Sequence, residues 1–206
     1  MEPNAIYEDL KAKIVWLDLK PGAALNLVEL ADSYGVSRTP IMLALTRLDA
    51  EELVVRQGVH FVVSPLTVER MREITEIRSV LEPQAHLWAL QRMGAEGRAG
   101  LQAFRRQIQA VDRNASKRQI VELDFRFHRL IYRETRNQQL AAMLERLLGH
   151  YLRFWLSSPQ GIVAADFFAE ALDVIRAFEA GDAAGLRAAT EQHIRVSLDT
   201  IIGISK

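Results

Sequence analysis

The chain has 206 residues, 49% of them hydrophobic and 25% charged, with 26 Lys or Arg against 26 Asp or Glu and no cysteine. Such a length suits one or two globular domains, and the absence of thiols excludes disulfides and thiolate metal sites, so any metal must be held by imidazole and carboxylate. No apolar run approaches the roughly 20 residues of a membrane helix, and the N-terminus lacks the basic-then-apolar pattern of an export peptide, so a soluble cytoplasmic chain with no membrane partner is expected.

The first predicted element is a supporting helix carrying Ile6, Leu10, Ile14 and Leu17 at helical spacing. Residues 30–48, LADSYGVSRTPIMLALTRL, then read as two short helices across a turn. Leu30, Ala31 and Tyr34 make a short apolar stripe, and Gly35 suits the positive φ of a tight turn. Ser37 stands where a helix cap is wanted, Pro40 fits the first turn, and Ile41, Leu45 and Leu48 recur on one buried face. Arg38, Thr39 and Met42 are left facing outward. Residues 53–63, LVVR-QGVH-FVV, read as a β-hairpin with Gly58 at its tip.

Together these elements predict a winged helix-turn-helix over residues 1–66, the arrangement that offers a helix to double-stranded DNA. The expected DNA contacts are Ser37, Arg38, Thr39, Met42 and Arg47 from the reading helix, with Arg56, Gly58 and His60 from the wing. His60 reads equally as a plain exposed residue. Residues 1–66 hold six Lys or Arg against nine Asp or Glu, a net of −3. DNA-binding domains are usually basic, because phosphate neutralisation supplies much of their affinity. Arg38, Arg47 and Arg56, with Lys11 or Lys13, must therefore concentrate on one face, and one copy alone should bind weakly and with strong salt dependence.

Residues 5–65 resemble the GntR family of bacterial transcription regulators, whose signature runs LA…GVSRTP into an Arg-Glu-Ala-Leu helix, a leucine and a wing. Where that signature has Arg-Glu, this chain has Met42 and Leu43, so one expected cation is missing from the groove-facing stripe.

After Ser64-Pro65-Leu66 the pattern changes to long amphipathic helices, which places a domain boundary there and a second, all-α domain over 67–206. Helices are predicted near 67–82, 83–93, 95–113, 117–135, 137–157, 162–180 and 183–204. They are broken by Pro83, Gly94, residues 114–116, the SSPQG loop at 157–161 and Gly181-Asp182. Three segments carry a second resemblance: EIRSVLEPQA (76–85), DFRFHRLIYRETRN (124–137) and EAGDAAGLRAATEQHI (179–194). They are similar to the FCD domain of the FadR-like GntR subgroup, which implies an antiparallel helical bundle that dimerises and holds a small effector.

Within 117–135, Ile120, Leu123, Phe127 and Ile131 define the apolar face, and Asp124 and His128 fall on that same stripe. A buried carboxylate must be paired or coordinate a cation, so these two residues make either an Asp–His hydrogen bond or half of a metal site. The FCD resemblance implies the second: this Asp and His, with two later His, hold a divalent cation. The last of those maps onto His193, on the face of Leu186 and Thr200; the other maps onto Ala171, which has no donor. A three-ligand zinc-like site of Asp124, His128 and His193, a metal-free pocket, or recruitment of His150 all remain open. Arg78 shares a face with Met71, Ile74, Leu81 and Ala85, and pairs either with Glu82 one turn on or with an acid ligand. The resemblance implies the ligand, and hence an organic carboxylate contacting Arg78, Asp124, His128 and His193. Asn137 reads as a helix cap. Trp88, Tyr132, Tyr151, Phe154 and Trp155 line a cavity or fill the core.

The expected whole is a homodimeric, effector-responsive regulator on a pseudo-palindromic operator, and not an enzyme. Two other readings stand beside it. Met42, Leu43 and the acidic first domain suit a partner-binding protein with weakened DNA recognition, while Asp124, His128 and His193 would suit a metal-dependent hydrolase if a general base stood near them.

Overall fold

The computed structural model describes residues 2–112, 114–159, 162 and 164–201, and its contacts divide the chain into two compact units, 1–67 and 68–206. Among the described residues no helix is long and apolar enough to cross a membrane.

The first unit begins with α1 (Pro3–Val15), which buries Ile6, Leu10 and Ile14 against α3 (Arg38–Ala50). Helix α2 (Leu27–Tyr34) is capped by Asn26, whose side chain accepts from the Val28 and Glu29 amides, and it ends at Gly35 with φ +63°. A side chain with a Cβ is strained at that φ, so the turn between the two helices is where glycine is required. Ser37 occupies the N-cap of α3 in extended backbone, but its hydroxyl makes no cap bond, contrary to the expectation for it. The reason lies three residues on: an N-cap oxygen normally receives the N3 amide, and N3 here is Pro40, which has none.

The wing is β2 (Val54–Gln57) paired antiparallel with β3 (His60–Val63), turning through Gly58 at φ +64°. A third strand, β1 (Ala24–Leu25), pairs with the far edge of β3 and gives the order β1-β3-β2. Two residues are too few to show a period of two in the sequence, which is why only the hairpin was expected.

The second unit is all helix: α4 (Val68–Arg92), α5 (Ala95–Gln109), α6 (Lys117–Glu134), α7 (Gln138–Ser157), α8 (Ala164–Phe167), α9 (Ala169–Ala180) and α10 (Ala183–Ile201). Helix α4 runs without a break through Pro83, where two helices were expected. An interior proline costs about 3 kcal/mol in a helix standing alone. Here α4 is clasped by α6, α7 and α10 and Pro83 itself is buried, so packing offsets the lost amide. Helix α5 stops at Gln109 rather than 113, and the helix expected over 162–180 divides at the buried Phe168. The expected end of the last helix, 202–204, lies outside the described residues. Ser116 and Gln119 form a reciprocal capping box at the start of α6, and Asn137 caps α7 by accepting from the Leu140 amide at 3.1 Å. Phe104, Phe127, Ile131, Val174, Phe178 and Leu186 belong to one apolar core cluster of this unit.

Candidate functional site

Two helices of the second unit each project three polar side chains at i, i+4 and i+8 into the core. From α4 come Arg78, Glu82 and His86; from α6 come Asp124, His128 and Tyr132; α10 adds Thr190 and His193, and α7 adds Tyr151. The whole set is buried. That spacing spreads the three side chains of a helix over only about 80° of its circumference, so they share one face.

Glu82 is the hub. Its Oε1 accepts from Arg78 Nε at 2.5 Å and from the Tyr132 hydroxyl at 2.7 Å, while Oε2 has no hydrogen-bond partner. Arg78 lies over the Tyr151 ring at 4.1 Å, and its Nη1 is also unpartnered. Burial alone raises the Glu82 carboxyl, but Arg78 and then His128 draw it down to about 2, so it is ionised at neutral pH. Burial opposes the charge on Arg78 as well, and the Glu82 carboxylate prevails and holds its pKa above the ordinary value.

His128 stands between two groups of donors. Its Nδ1 is 4.0 Å from Glu82 Oε2 and 3.4 Å from the Tyr132 hydroxyl, and its Nε2 is 3.2 Å from His193 Nε2 and 3.7 Å from Asp124 Oδ1. Burial pushes His86 and His193 down to about 4 and His128 well below the ordinary range, so all three rings are neutral at pH 7. Burial lifts Asp124 to about 7, with Arg78 opposing and Glu82 reinforcing, and its Oδ1 is unpartnered.

The Asp124, His128 and His193 donors fit a divalent cation. A tetrahedral ion with bonds of about 2.0–2.1 Å spaces its ligand atoms about 3.3 Å apart, close to the separations found around His128 Nε2. Ala171 is fully buried and presents only a methyl group, and His150, buried on α7, joins neither of the two donor groups found among the described residues. The second group, Glu82, His86 and His128, was not anticipated. Its signal was the i, i+4, i+8 register of 78, 82 and 86, which disappears once a helix break is assumed at Pro83. Of the expected cavity aromatics, Tyr132 and Tyr151 reach the polar cluster, whereas Trp155 packs on Phe167 at 4.9 Å and Trp88 lies beneath Arg92 at 4.9 Å.

In the first unit, Arg38, Thr39, Met42, Leu43 and Thr46 are exposed along α3, Met42 by 36% and Leu43 by 58%. Arg47 is turned onto α1: its guanidinium lies 3.6 Å from the Tyr7 ring centroid and donates to Asn4 Oδ1 at 2.9 Å. Arg56 folds back on the wing, donating to the Gly58 carbonyl at 3.1 Å, and His60 is exposed at the start of β3. Lys11 bonds Glu51 at 2.6 Å and Lys13 bonds Asp9 at 2.7 Å. Most cations expected at the DNA thus have partners inside the unit.

Residues 73–196 match the FCD domain family, and residues 3–62 match the family described as bacterial regulatory proteins, gntR family. The chain is 31% identical over 143 residues to the HTH-type transcriptional regulator McbR of Escherichia coli K12, covering 69% of this chain and 65% of that protein, just under two thirds. It is 31% identical over 153 residues to the uncharacterized HTH-type transcriptional regulator YdhC of Bacillus subtilis 168, covering 71% and 67%. The structure of E. coli McbR/YncC superposes with a TM-score of 0.85 over 98% of this chain and 97% of that one, at 24% identity, a likeness of fold. A GntR-family regulator from Pseudomonas syringae pv. tomato gives 0.56 at 28% identity over 98% and 85%. The chain therefore belongs to the GntR family of bacterial regulatory proteins, in the subgroup carrying an FCD domain, and is a transcriptional regulator of that type and not an enzyme.

Proposed function

We propose that this regulator binds a pseudo-palindromic operator as a homodimer joined through its C-terminal bundles and responds to a small organic acid held in the second unit. Arg38, Thr39 and Met42 of α3 read the major groove, with Ser37 at its margin, and the wing brings Arg56, Gly58 and His60 to the backbone. The effector carboxylate takes the Arg78 guanidinium edge that Glu82 leaves free, and a divalent cation such as zinc joins Asp124, His128 and His193 with a position open to water or effector. The observation that carries this reading is that Arg78 Nη1 and Asp124 Oδ1 are both buried without a hydrogen-bond partner inside the FCD domain. The acid shifts DNA affinity only so far as it prefers one arrangement of the two reading heads, so operator and effector affinities are reciprocally coupled.

The test is a thermal-shift screen of small organic acids with and without divalent metal, followed by gel shifts on the gene's own upstream DNA with each hit. A hit that also moves the gel-shift midpoint supports the reading. Acids that bind without altering DNA affinity would sink the coupling. The exposed Met42 and Leu43 and the internally paired cations favour a second reading, a partner-binding protein with weakened DNA recognition; no shift with any operator half-site at low salt would select it.

A further inference from the structure

We propose that Tyr132 and Glu82 are positioning residues for the cation of the second unit: together they hold the His128 proton on Nδ1, so that Nε2 faces Asp124 and His193 as a bare lone pair. Their role rests on the proposed cation held by Asp124, His128 and His193. A neutral imidazole carries one proton and ligates a metal through the nitrogen that lacks it. Which nitrogen that is follows here from two hydrogen bonds in series. Tyr132 donates its hydroxyl proton to Glu82 Oε1 at 2.7 Å, since an ionised carboxylate has no proton to give. A phenol has a single proton, so towards His128 Nδ1, 3.4 Å away, the same oxygen is the acceptor and the ring nitrogen the donor. Glu82 is steadied in turn by Arg78, whose Nε reaches the same Oε1 at 2.5 Å. All four side chains are buried, and the chain Arg78, Glu82, Tyr132, His128 joins α4 to α6.

On its other side, His128 Nε2 lies 3.2 Å from His193 Nε2 and 3.7 Å from Asp124 Oδ1. With His128 protonated on Nδ1, the proton between the two rings belongs to His193 Nε2 in the metal-free chain. His128 is therefore the preset ligand, and His193 is the one that changes tautomer when both nitrogens bind a cation. Outer hydrogen bonds of this kind fix the ring orientation and raise the basicity of ligating histidines, and their loss typically costs about 10–100-fold in metal affinity.

The test uses the full-length chain with isotope-labelled histidine, in chelator, read by long-range proton–nitrogen NMR spectra that report which ring nitrogen is protonated. The chain has five histidines, and the peaks of His128 and His193 are identified by their loss in His128→Gln and His193→Gln. Wild type is expected to show an Nδ1–H tautomer at His128 and an Nε2–H tautomer at His193. Tyr132→Phe is expected to move His128 towards Nε2–H and to weaken Zn²⁺ binding about tenfold or more, measured by titrating stripped protein against a chromophoric competitor. A tyrosine that only fills space would leave the tautomer unchanged. An Nε2–H tautomer at His128 in wild type overturns the proposal without any variant, and if Tyr132→Phe loses cooperative melting in chelator the wild-type tautomers decide alone. Zn²⁺ affinity within about threefold of wild type in a folded Tyr132→Phe also overturns it, while leaving the cation of the proposed function intact. Uptake below about one tenth of an ion per wild-type chain ends the cation reading itself and the proposal with it.

Discussion

His86 Nδ1 and the Thr190 hydroxyl meet at 2.7 Å across α4 and α10, 104 residues apart in sequence, and both are buried. The pair ties the longest helix of the second unit to its last helix, and it sets which nitrogen of His86 carries the proton. Thr190→Val keeps the shape and removes the acceptor. A buried N–H left without a partner costs about 1–3 kcal/mol. Chemical denaturation of the second unit should show a loss in that range for Thr190→Val and near-wild-type stability for Thr190→Ser. A valine variant within about 0.5 kcal/mol of wild type would show that the bond contributes nothing.

The pH dependence of the metal-free chain has two opposed parts. Asp124 has a folded pKa of about 7, above its ordinary 3.8, so its contribution is fully present below pH 3.8 and is lost as pH rises through 7. His86 and His193 are depressed to about 4, so their contribution is present above their ordinary 6.5 and is lost as pH falls towards 4. Asp124→Asn should remove the first part alone. The variant, compared with wild type in chelator, is expected to gain relative stability steadily between pH 4 and 8. A difference that is flat with pH would mean that Asp124 is ionised throughout and has a partner in solution.

What the sequence made legible follows the range over which each signal acts. Gly35, Pro40 and the Ile41–Leu45–Leu48 stripe are local, and the turn and α3 lie where those residues place them. Asp124 and His128 faced inward on periodicity alone, because both sit within one uninterrupted helical pattern. His86 was lost for the converse reason: a proline is a strong local stop signal, and only the packing of α6, α7 and α10 around α4 overrides it. The turning of Arg47 onto Tyr7, 40 positions earlier, is likewise invisible to any local pattern.

Arg38 and Arg47, nine residues apart on α3, are expected to behave differently. Arg38 is exposed, so Arg38→Ala should weaken operator binding and reduce the salt slope by about 1 for each copy in contact. Arg47 stacks on Tyr7 and bonds Asn4, so Arg47→Ala should lower the stability of the first unit by about 0.5–2 kcal/mol and leave the salt slope nearly unchanged. Fluorescence anisotropy on labelled operator between low and moderate salt, with melting curves of both variants, separates the two. Equal slope changes would mean that Arg47 leaves Tyr7 for phosphate.

Arg78 and Glu82 pair at 2.5 Å in the core, which makes Arg78→Ala a poor test of acid binding when used by itself. Removing one member of a buried pair strands the other charge and costs about 3–5 kcal/mol, so a lost response could simply reflect a damaged fold. Replacing both members leaves no stranded charge. Arg78→Met combined with Glu82→Leu should therefore recover at least about 2 kcal/mol relative to the sum of the single changes. With the bundle intact, the double variant still lacks the free guanidinium edge, so every carboxylate that raises the melting temperature of wild type should leave this variant unmoved. If those acids still stabilise the double variant, Arg78 is a structural residue and the acid is anchored elsewhere in the bundle.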